Sequence, residues 1–180
     1  MKQQIIAIVG MPGAGKSEAA AFFKQKQLAI FRFGDQTDIG LKESGLPLTE
    51  VNERRYRENL RKELGMAAYA IKTFERYQKL KQPGTVIFDG LYSWEEYKYL
   101  RDKVSVLLLH IYARPDIRYK RLEQRPVRPL TRSEARSRDI AEIEKLNKGG
   151  PIALADYLVI NESSLTNLHK QLEKFLQEIT

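Results

Sequence analysis

Eight consecutive residues, Gly10-Met11-Pro12-Gly13-Ala14-Gly15-Lys16-Ser17, combine three groups suited to a polyphosphate. Glycines at 10, 13 and 15, with Ala14 between them, let successive backbone N–H groups curl around phosphate oxygens where larger side chains would obstruct them. Lys16 can reach the outer phosphates, and the Ser17 hydroxyl can ligate Mg²⁺. The apolar run Ile5-Ile6-Ala7-Ile8-Val9 leads in, and Glu18-Ala19-Ala20-Ala21-Phe22-Phe23 leads out in a helical pattern. Strand, glycine-rich turn and helix start are the context such a loop needs, and the positive end of the helix adds attraction for an anion. These residues predict binding of a nucleoside triphosphate together with Mg²⁺.

Two carboxylates follow apolar runs at comparable places. Asp89 comes directly after Thr85-Val86-Ile87-Phe88, where it can hold Mg²⁺ while Ser17 takes another position; its plain alternative is a turn aspartate before Gly90. Asp35 follows Leu28–Phe33 and Gly34, where it can orient an acceptor or take the proton from an acceptor hydroxyl. Arginine distribution is the next signal. Arg114, Arg118, Arg121 and Arg125 follow i, i+4, i+7, i+11, and Arg128, Arg132, Arg136 and Arg138 continue the series. Only Asp116, Glu123 and Glu134 are acidic between 114 and 138. Such clusters suit the charge that develops on a transferred phosphoryl group, with Arg125, Arg128 and Arg138 foremost. Arg54, Arg57 and Arg61 share a helical face and either hold a second anion or pair with Glu50, Glu53 and Glu58. Tyr92, Trp94 and Tyr97 either stack on an acceptor or pack in the core, and His110 reads as a packed strand end.

A frame of alternating strand and helix patterns must position these groups. After the first helix comes the strand Leu28–Phe33, then an irregular stretch from Gln36 to Pro47 holding Gly40 and Gly45. Thr49 with Glu50 and Glu53 starts a helical pattern that runs to Leu80, broken near Gly65. Pro83-Gly84 marks a turn before the strand at 85–88. A short helix at Trp94–Leu100 precedes the most apolar strand, Val104–Tyr112. Pro115 opens a helix reaching Arg125, Pro126 and Pro129 break the pattern, and Thr131–Asn147 is helical until Gly149-Gly150-Pro151. Tyr157–Ile160 is the last strand, and a helix from Ser164 places Leu165, Leu168, Leu172, Phe175 and Leu176 on one face. Strands spaced by helices predict an α/β fold whose parallel sheet is covered on both faces.

The chain of 180 residues, 42% hydrophobic and 30% charged, has the makeup of one globular domain over residues 1–180. The absence of cysteine excludes disulfides, thiolate catalysis and Cys-based metal sites, and two histidines disfavour a His-rich one. No apolar run approaches the ~20 residues that cross a bilayer. The start Met1-Lys2-Gln3-Gln4 and its five apolar followers are too short for a signal peptide, so a cytoplasmic location and no membrane partner are expected. The formal net charge of +8 and pI of about 9.6 point to polyanionic ligands: nucleotides, a phosphorylated cofactor or nucleic acid.

The phosphate loop (a complete Walker A, or P-loop, pattern), the Gly34-Asp35 and Asp89-Gly90 steps and the Arg-rich segment together resemble the nucleoside monophosphate kinase group. Leu130-Thr131-Arg132-Ser133-Glu134-Ala135 with Arg138 is similar to the lid of dephospho-coenzyme A kinase, and Ala155-Asp156-Tyr157-Leu158-Val159-Ile160-Asn161 to its last strand and following loop. A prokaryotic branch of dephospho-coenzyme A kinase-like ATPases shares the Gly-Met-Pro-Gly-x-Gly-Lys-Ser loop and the Ala-Asp-Tyr-x-x-x-Asn-Glu ending. The resemblance implies a P-loop NTPase with a five-stranded parallel sheet, helices on both faces, a helical acceptor-binding insert over 36–80 and a lid over 126–138. It places ATP on residues 10–17 with its base near Asn161, Asp35 toward the acceptor, and Arg138 closing from the lid. The chain departs from these relatives in carrying Leu91-Tyr92-Ser93 where an acceptor-gripping arginine is usual, and Gly34-Asp35 where Asp-x-Asp is usual.

The expected function is therefore a kinase that moves the γ-phosphoryl of ATP to a small, anionic, nucleotide-like acceptor, with Arg57, Arg61, Tyr92 and Asp35 on the acceptor side. The alternative is a slow P-loop ATPase switch working through a protein or RNA partner; a 5′-hydroxyl nucleic-acid kinase would combine both properties. The charge permits a nucleic-acid partner, but the arginines concentrate in two segments that flank the ligand crevice of the related folds.

Overall fold

Short apolar runs form one five-stranded parallel sheet: β1 (Gln4–Val9), β2 (Ala29–Arg32), β3 (Thr85–Asp89), β4 (Val106–Tyr112) and β5 (Tyr157–Ile160), in the spatial order β2-β3-β1-β4-β5. The computed structural model describes residues 4–80 and 84–179. Side chains alternate between the two faces of the sheet, and each face is buried under helices. On one, Ile5, Ala7, Val9, Val86 and Phe88 pack against α3 (Glu50–Leu64), α4 (Ala68–Leu80) and α5 (Trp94–Lys103). Phe88 anchors that side, its ring 5.7 to 5.9 Å from those of Phe31, Phe33 and Tyr77. On the other, Ile6, Ile8, Ile87 and Ile111 pack against Phe22 and Phe23 of α1 (Lys16–Gln25) and Leu168, Leu172 and Phe175 of α9 (Leu165–Ile179). The remaining helices are α2 (Asp35–Glu43) after β2, α6 (Pro115–Glu123) after β4, and α7 (Arg132–Leu146) and α8 (Gly149–Ala153) before β5.

Parallel register brings the functional ends together. Ile8 and Arg32 both lie opposite Asp89, and Val9 lies opposite His110, so the carboxyl ends of β1, β2, β3 and β4 share one rim. The glycine-rich loop leaves β1 at that rim. At the far margin of the sheet, β5 pairs only with β4 among the described residues. The outward backbone of Ile160 is covered by the Gln171 side chain of α9, which accepts from its N–H (3.1 Å) and donates to its carbonyl (2.8 Å).

Several sequence expectations shift. The stretch from Gln36, expected to be irregular, begins as α2, with Gln36, Thr37, Gly40 and Leu41 buried. Gly40 is there for close approach: a Cβ at this position would lie 2.1 Å from the Tyr56 ring and hydroxyl of α3. The long helical pattern divides at Gly65 into α3 and α4, as expected. Gly149-Gly150-Pro151, expected to end a helix, instead starts α8 after the left-handed Asn147 that closes α7. β4 begins at Val106 rather than Val104, and Leu165 is half exposed rather than packed with the α9 core. The turn expected at Pro83-Gly84 falls in part on Pro83, outside the described residues.

Candidate active site

The loop between β1 and α1 is braced through its carbonyls. Lys16 Nζ donates to Gly10 O (2.8 Å) and Met11 O (3.2 Å), Arg118 Nη1 to Pro12 O (2.9 Å), Arg121 Nη1 to Gly13 O (3.5 Å) and Asn161 Nδ2 to Ala14 O (2.8 Å). Five successive carbonyls are thus engaged, and the Ala14 N–H turns back to Met11 O (3.2 Å), which fixes the curl of the loop. Gly15 permits this packing: it takes φ 102°, and a Cβ there would meet Asn161 Nδ2 at 2.2 Å. Burial and then the neighbouring charge of Lys148 push the Lys16 amine down to about 7, against the opposing pull of Glu142 and Asp89.

A cleft of about 810 Å³ opens over this loop, lined by Gly13, Gly15, Lys16, Ser17, Asp89 and Arg125 among others. Burial raises the Asp89 carboxyl above its ordinary value, while the Lys16 and Arg32 cations oppose the shift. A second cavity of about 460 Å³ lies between α2, α3, α4 and α7. Its wall carries Thr37 and Tyr69, whose hydroxyls hydrogen-bond at 2.7 Å, and Arg61, whose guanidinium lies 5.6 Å from the centre of the Tyr69 ring. Arg57 lines it too while pairing with Glu53 (3.3 Å) and Glu50 (3.2 Å). Glu96, also on this wall, caps α5 by accepting from the N–H groups of Tyr92 (2.6 Å) and Ser93 (3.1 Å), and burial pushes its carboxyl up to about 7. Arg32, Gly34, Tyr92, Arg128 and Arg138 line both cavities and so form the wall between them.

Next to that wall, α7 carries two buried carboxylates, Asp139 and Glu142, the second of which also lines the second cavity. Asp139 takes both terminal nitrogens of Arg118, at 3.0 and 2.6 Å, and the Tyr119 hydroxyl at 2.9 Å. Because the same Arg118 holds Pro12 O, α7 is tied directly to the phosphate loop. Glu142 accepts from Arg138 Nε at 3.0 Å and pairs with Lys148.

The expected residues Gly13, Gly15, Lys16, Ser17, Asp89, Arg125, Arg128, Arg138 and Asn161 gather around the first cleft, and Arg57, Arg61 and Tyr92 around the second. Gly10 and Ala14 belong to the braced loop without lining either cavity. Asp35 lines neither cavity; it opens α2 with its carboxylate 3.8 Å from Arg76, and Asp38 on the same helix lines the second cavity instead. Asn161, expected beside a base, commits its side-chain nitrogen to the loop. Asp156, a mark of the C-terminal signature, accepts from Leu108 N–H at 2.7 Å and so pins β4. Sequence reasoning missed Arg32, Asp38, Asp139, Glu142 and Lys148. Arg32 had a usable signal, a cation ending a strand one residue from Phe33-Gly34; Lys148 had none.

Comparison with known proteins identifies the family and the fold. A family model described as an AAA domain matches residues 6–146. A UPF0200 protein from Methanocaldococcus jannaschii is 35% identical, over 97% of this chain and 90% of that protein. The crystal structure of TT1252 from Thermus thermophilus superposes with a TM-score of 0.72 at 18% identity, covering 100% of both chains. Shikimate kinase from Acinetobacter baumannii in complex with shikimate superposes with a TM-score of 0.62 at 14% identity, covering 99% of this chain and 93% of that one. These superpositions show the fold, a P-loop kinase-like α/β sheet.

Proposed function

The chain belongs to the UPF0200 family, with an AAA domain over residues 6–146, and from that premise we propose that it is a phosphotransferase moving the γ-phosphoryl of ATP to a small anionic acceptor. The observation that carries this reading is the shared wall. A phosphate-binding cleft and a second cationic cavity meet across Arg32, Arg128 and Arg138, as in-line transfer between two bound molecules requires. A fold shared with shikimate kinase agrees with a small hydroxyl-bearing acceptor rather than a polymer, as does the modest size of the second cavity.

In this reading the loop amides and Lys16 hold the triphosphate, and Arg125 lies along the same cleft. Ser17 and Asp89 suit a hard cation: both line the cleft, and among the described residues the Asp89 carboxylate accepts no protein hydrogen bond. They would hold Mg²⁺, which would offset phosphate charge when bound. The acceptor sits against Arg57, Arg61 and Tyr92. The orienting role expected of Asp35 passes to Asp38, the α2 carboxylate in the cavity. An acceptor hydroxyl oxygen forms the new bond to the γ-phosphorus as the bond to the β-phosphate oxygen breaks; ADP leaves, and the hydroxyl proton goes to Asp38 or to water. Arg32, Arg128 and Arg138 offset charge on the moving group. Arg128, in the segment that would form the lid, pairs with Glu50 of α3 at 3.5 Å.

The deciding assay is γ-phosphoryl transfer from labelled ATP with Mg²⁺, offered pools of nucleoside monophosphates, dephospho-coenzyme A, hydroxy acids and sugars, oligonucleotides, and buffer alone. A labelled small-molecule product is expected. Release of inorganic phosphate alone, indifferent to every pool, overturns the kinase reading in favour of an ATPase switch.

A further inference from the structure

Lys148 is the most enclosed charge among the described residues, about 1% exposed, and the phosphotransfer scheme gives it no part. It reaches its place through a chain reversal. Asn147 closes α7 at φ 50°, ψ 36°, the Lys148 N–H returns to the Glu142 carbonyl at 3.3 Å, and the Lys148 amine meets the carboxylate of the same Glu142. The other oxygen of that carboxylate accepts from Arg138 Nε at 3.0 Å. The amine also lies 4.6 Å from the centre of the Tyr92 ring. Arg138 and Tyr92 both stand in the wall between the cavities, whereas Lys148 lines neither.

Stability alone is a weak reason for such a pair, because an apolar pair of similar volume often does as well without the cost of burying two ions. Arg138 gives a better one. Its side chain is nearly half exposed on a long stem, and an unheld guanidinium would spread over many rotamers. Charge stabilisation works only when the donor is oriented before the reaction. Glu142 supplies the acceptor that orients it, and Lys148 holds the other oxygen of that carboxylate from the inner side. Two cations against one carboxylate leave a net positive charge at the wall for an incoming anion.

We propose that Lys148 and Glu142 are positioning residues, which together hold the Arg138 guanidinium and the Tyr92 ring in the wall the phosphoryl group must cross. The catalytic meaning of this arrangement rests on the phosphotransferase reading; the positioning is a property of the protein without ligand.

The test therefore has two arms. The first is the NMR spectrum of arginine Nε–H groups, with the Arg138 signal identified by its loss in Arg138→Lys. A guanidinium held on a carboxylate keeps a dispersed, slowly exchanging Nε–H signal. Lys148→Arg should retain it, and Glu142→Gln and Lys148→Met should lose it. Since Lys148→Met strands a buried carboxylate and can unfold the chain, the double variant Lys148→Met/Glu142→Gln, which removes both charges, carries the same expectation. An unchanged Arg138 signal in the folded double variant overturns the proposal. The second arm is turnover of ATP. Glu142→Gln should lower kcat by about 10²-fold, leave KM for ATP within about threefold, and cause no further loss in an Arg138→Ala background. Losses that multiply independently of Arg138 also overturn it. If the unaltered protein turns over no ATP with any acceptor or with water, the phosphotransferase reading fails, while the Nε–H spectra still decide the positioning.

Discussion

Lys16 shows how much, and how little, a local motif reveals. Its place in the loop follows from eight adjacent residues, so it is legible without a structure. Its environment is not, because Lys148, Glu142 and Asp89 come from distant segments and meet it only in the fold. Lys16→Ala and Arg138→Ala should each cut turnover by about 10²–10³-fold, read as initial rate against ATP with unfolding temperature as the control. Glu96 makes a separate prediction about pH. Its carboxyl ionises near 4.5 when unfolded and near 7 when folded. Between those values the folded chain keeps a proton that the unfolded chain has lost, so stability falls as pH rises through the window and levels off above it. Glu96→Gln cannot titrate. Thermal or urea unfolding from pH 4.5 to 7 should lose less stability in the variant than in the parent, by on the order of 3 kcal/mol; parallel profiles would remove Glu96 as a cause.

Strands and long helices were readable because their periodicity is strong: β1 is a near-continuous apolar run, as a strand buried on both faces must be. The failure at Gln36–Pro47 has a physical source. Gly40 reads as a helix breaker, yet here it admits the Tyr56 ring, a tertiary contact that no window of sequence contains. Failure at Gly149-Gly150-Pro151 is of the same kind, since α8 depends on Asn147 turning left-handed beneath the Lys148–Glu142 pair. The α2–α3 contact can be tested on both sides. Gly40→Ala improves helix propensity but drives a methyl into the Tyr56 ring, so a net loss of about 1–3 kcal/mol is expected. Tyr56→Leu, placed in that background, should restore part of it; equal losses with either residue at 56 would show that the ring is not the obstacle. The candidate site follows this pattern too. Arginines from α6 through α7 were visible as a cluster, but sequence could not separate Arg118, spent on bracing the loop and Asp139, from Arg125, between the two helices, and Arg138, which face the cleft.

For the molecule as a whole, ligand binding and folding are one equilibrium. The loop amides, Ser17 and Asp89 come from segments that assemble only in the native state, so Mg²⁺ and ATP at 100 times their dissociation constant should add about 2.7 kcal/mol. For a chain of this size that corresponds to a rise of roughly 5–10 °C in unfolding temperature. Lys16→Ala should abolish most of the rise without lowering the starting temperature by a similar amount. The positive charge has a matching consequence for solution behaviour: at +8, copies of the chain repel one another at low salt. That repulsion fades as salt is added, and at close range a different safeguard takes over. β5 leaves Leu158 and Ile160 more than 40% exposed beside an unpaired strand margin, and the single carboxamide of Gln171 occupies the backbone groups of Ile160 that a second strand would seek. Gln171→Leu leaves the cleft untouched and opens that margin. Its expected effect is colloidal: concentration-dependent association at high salt, seen by light scattering.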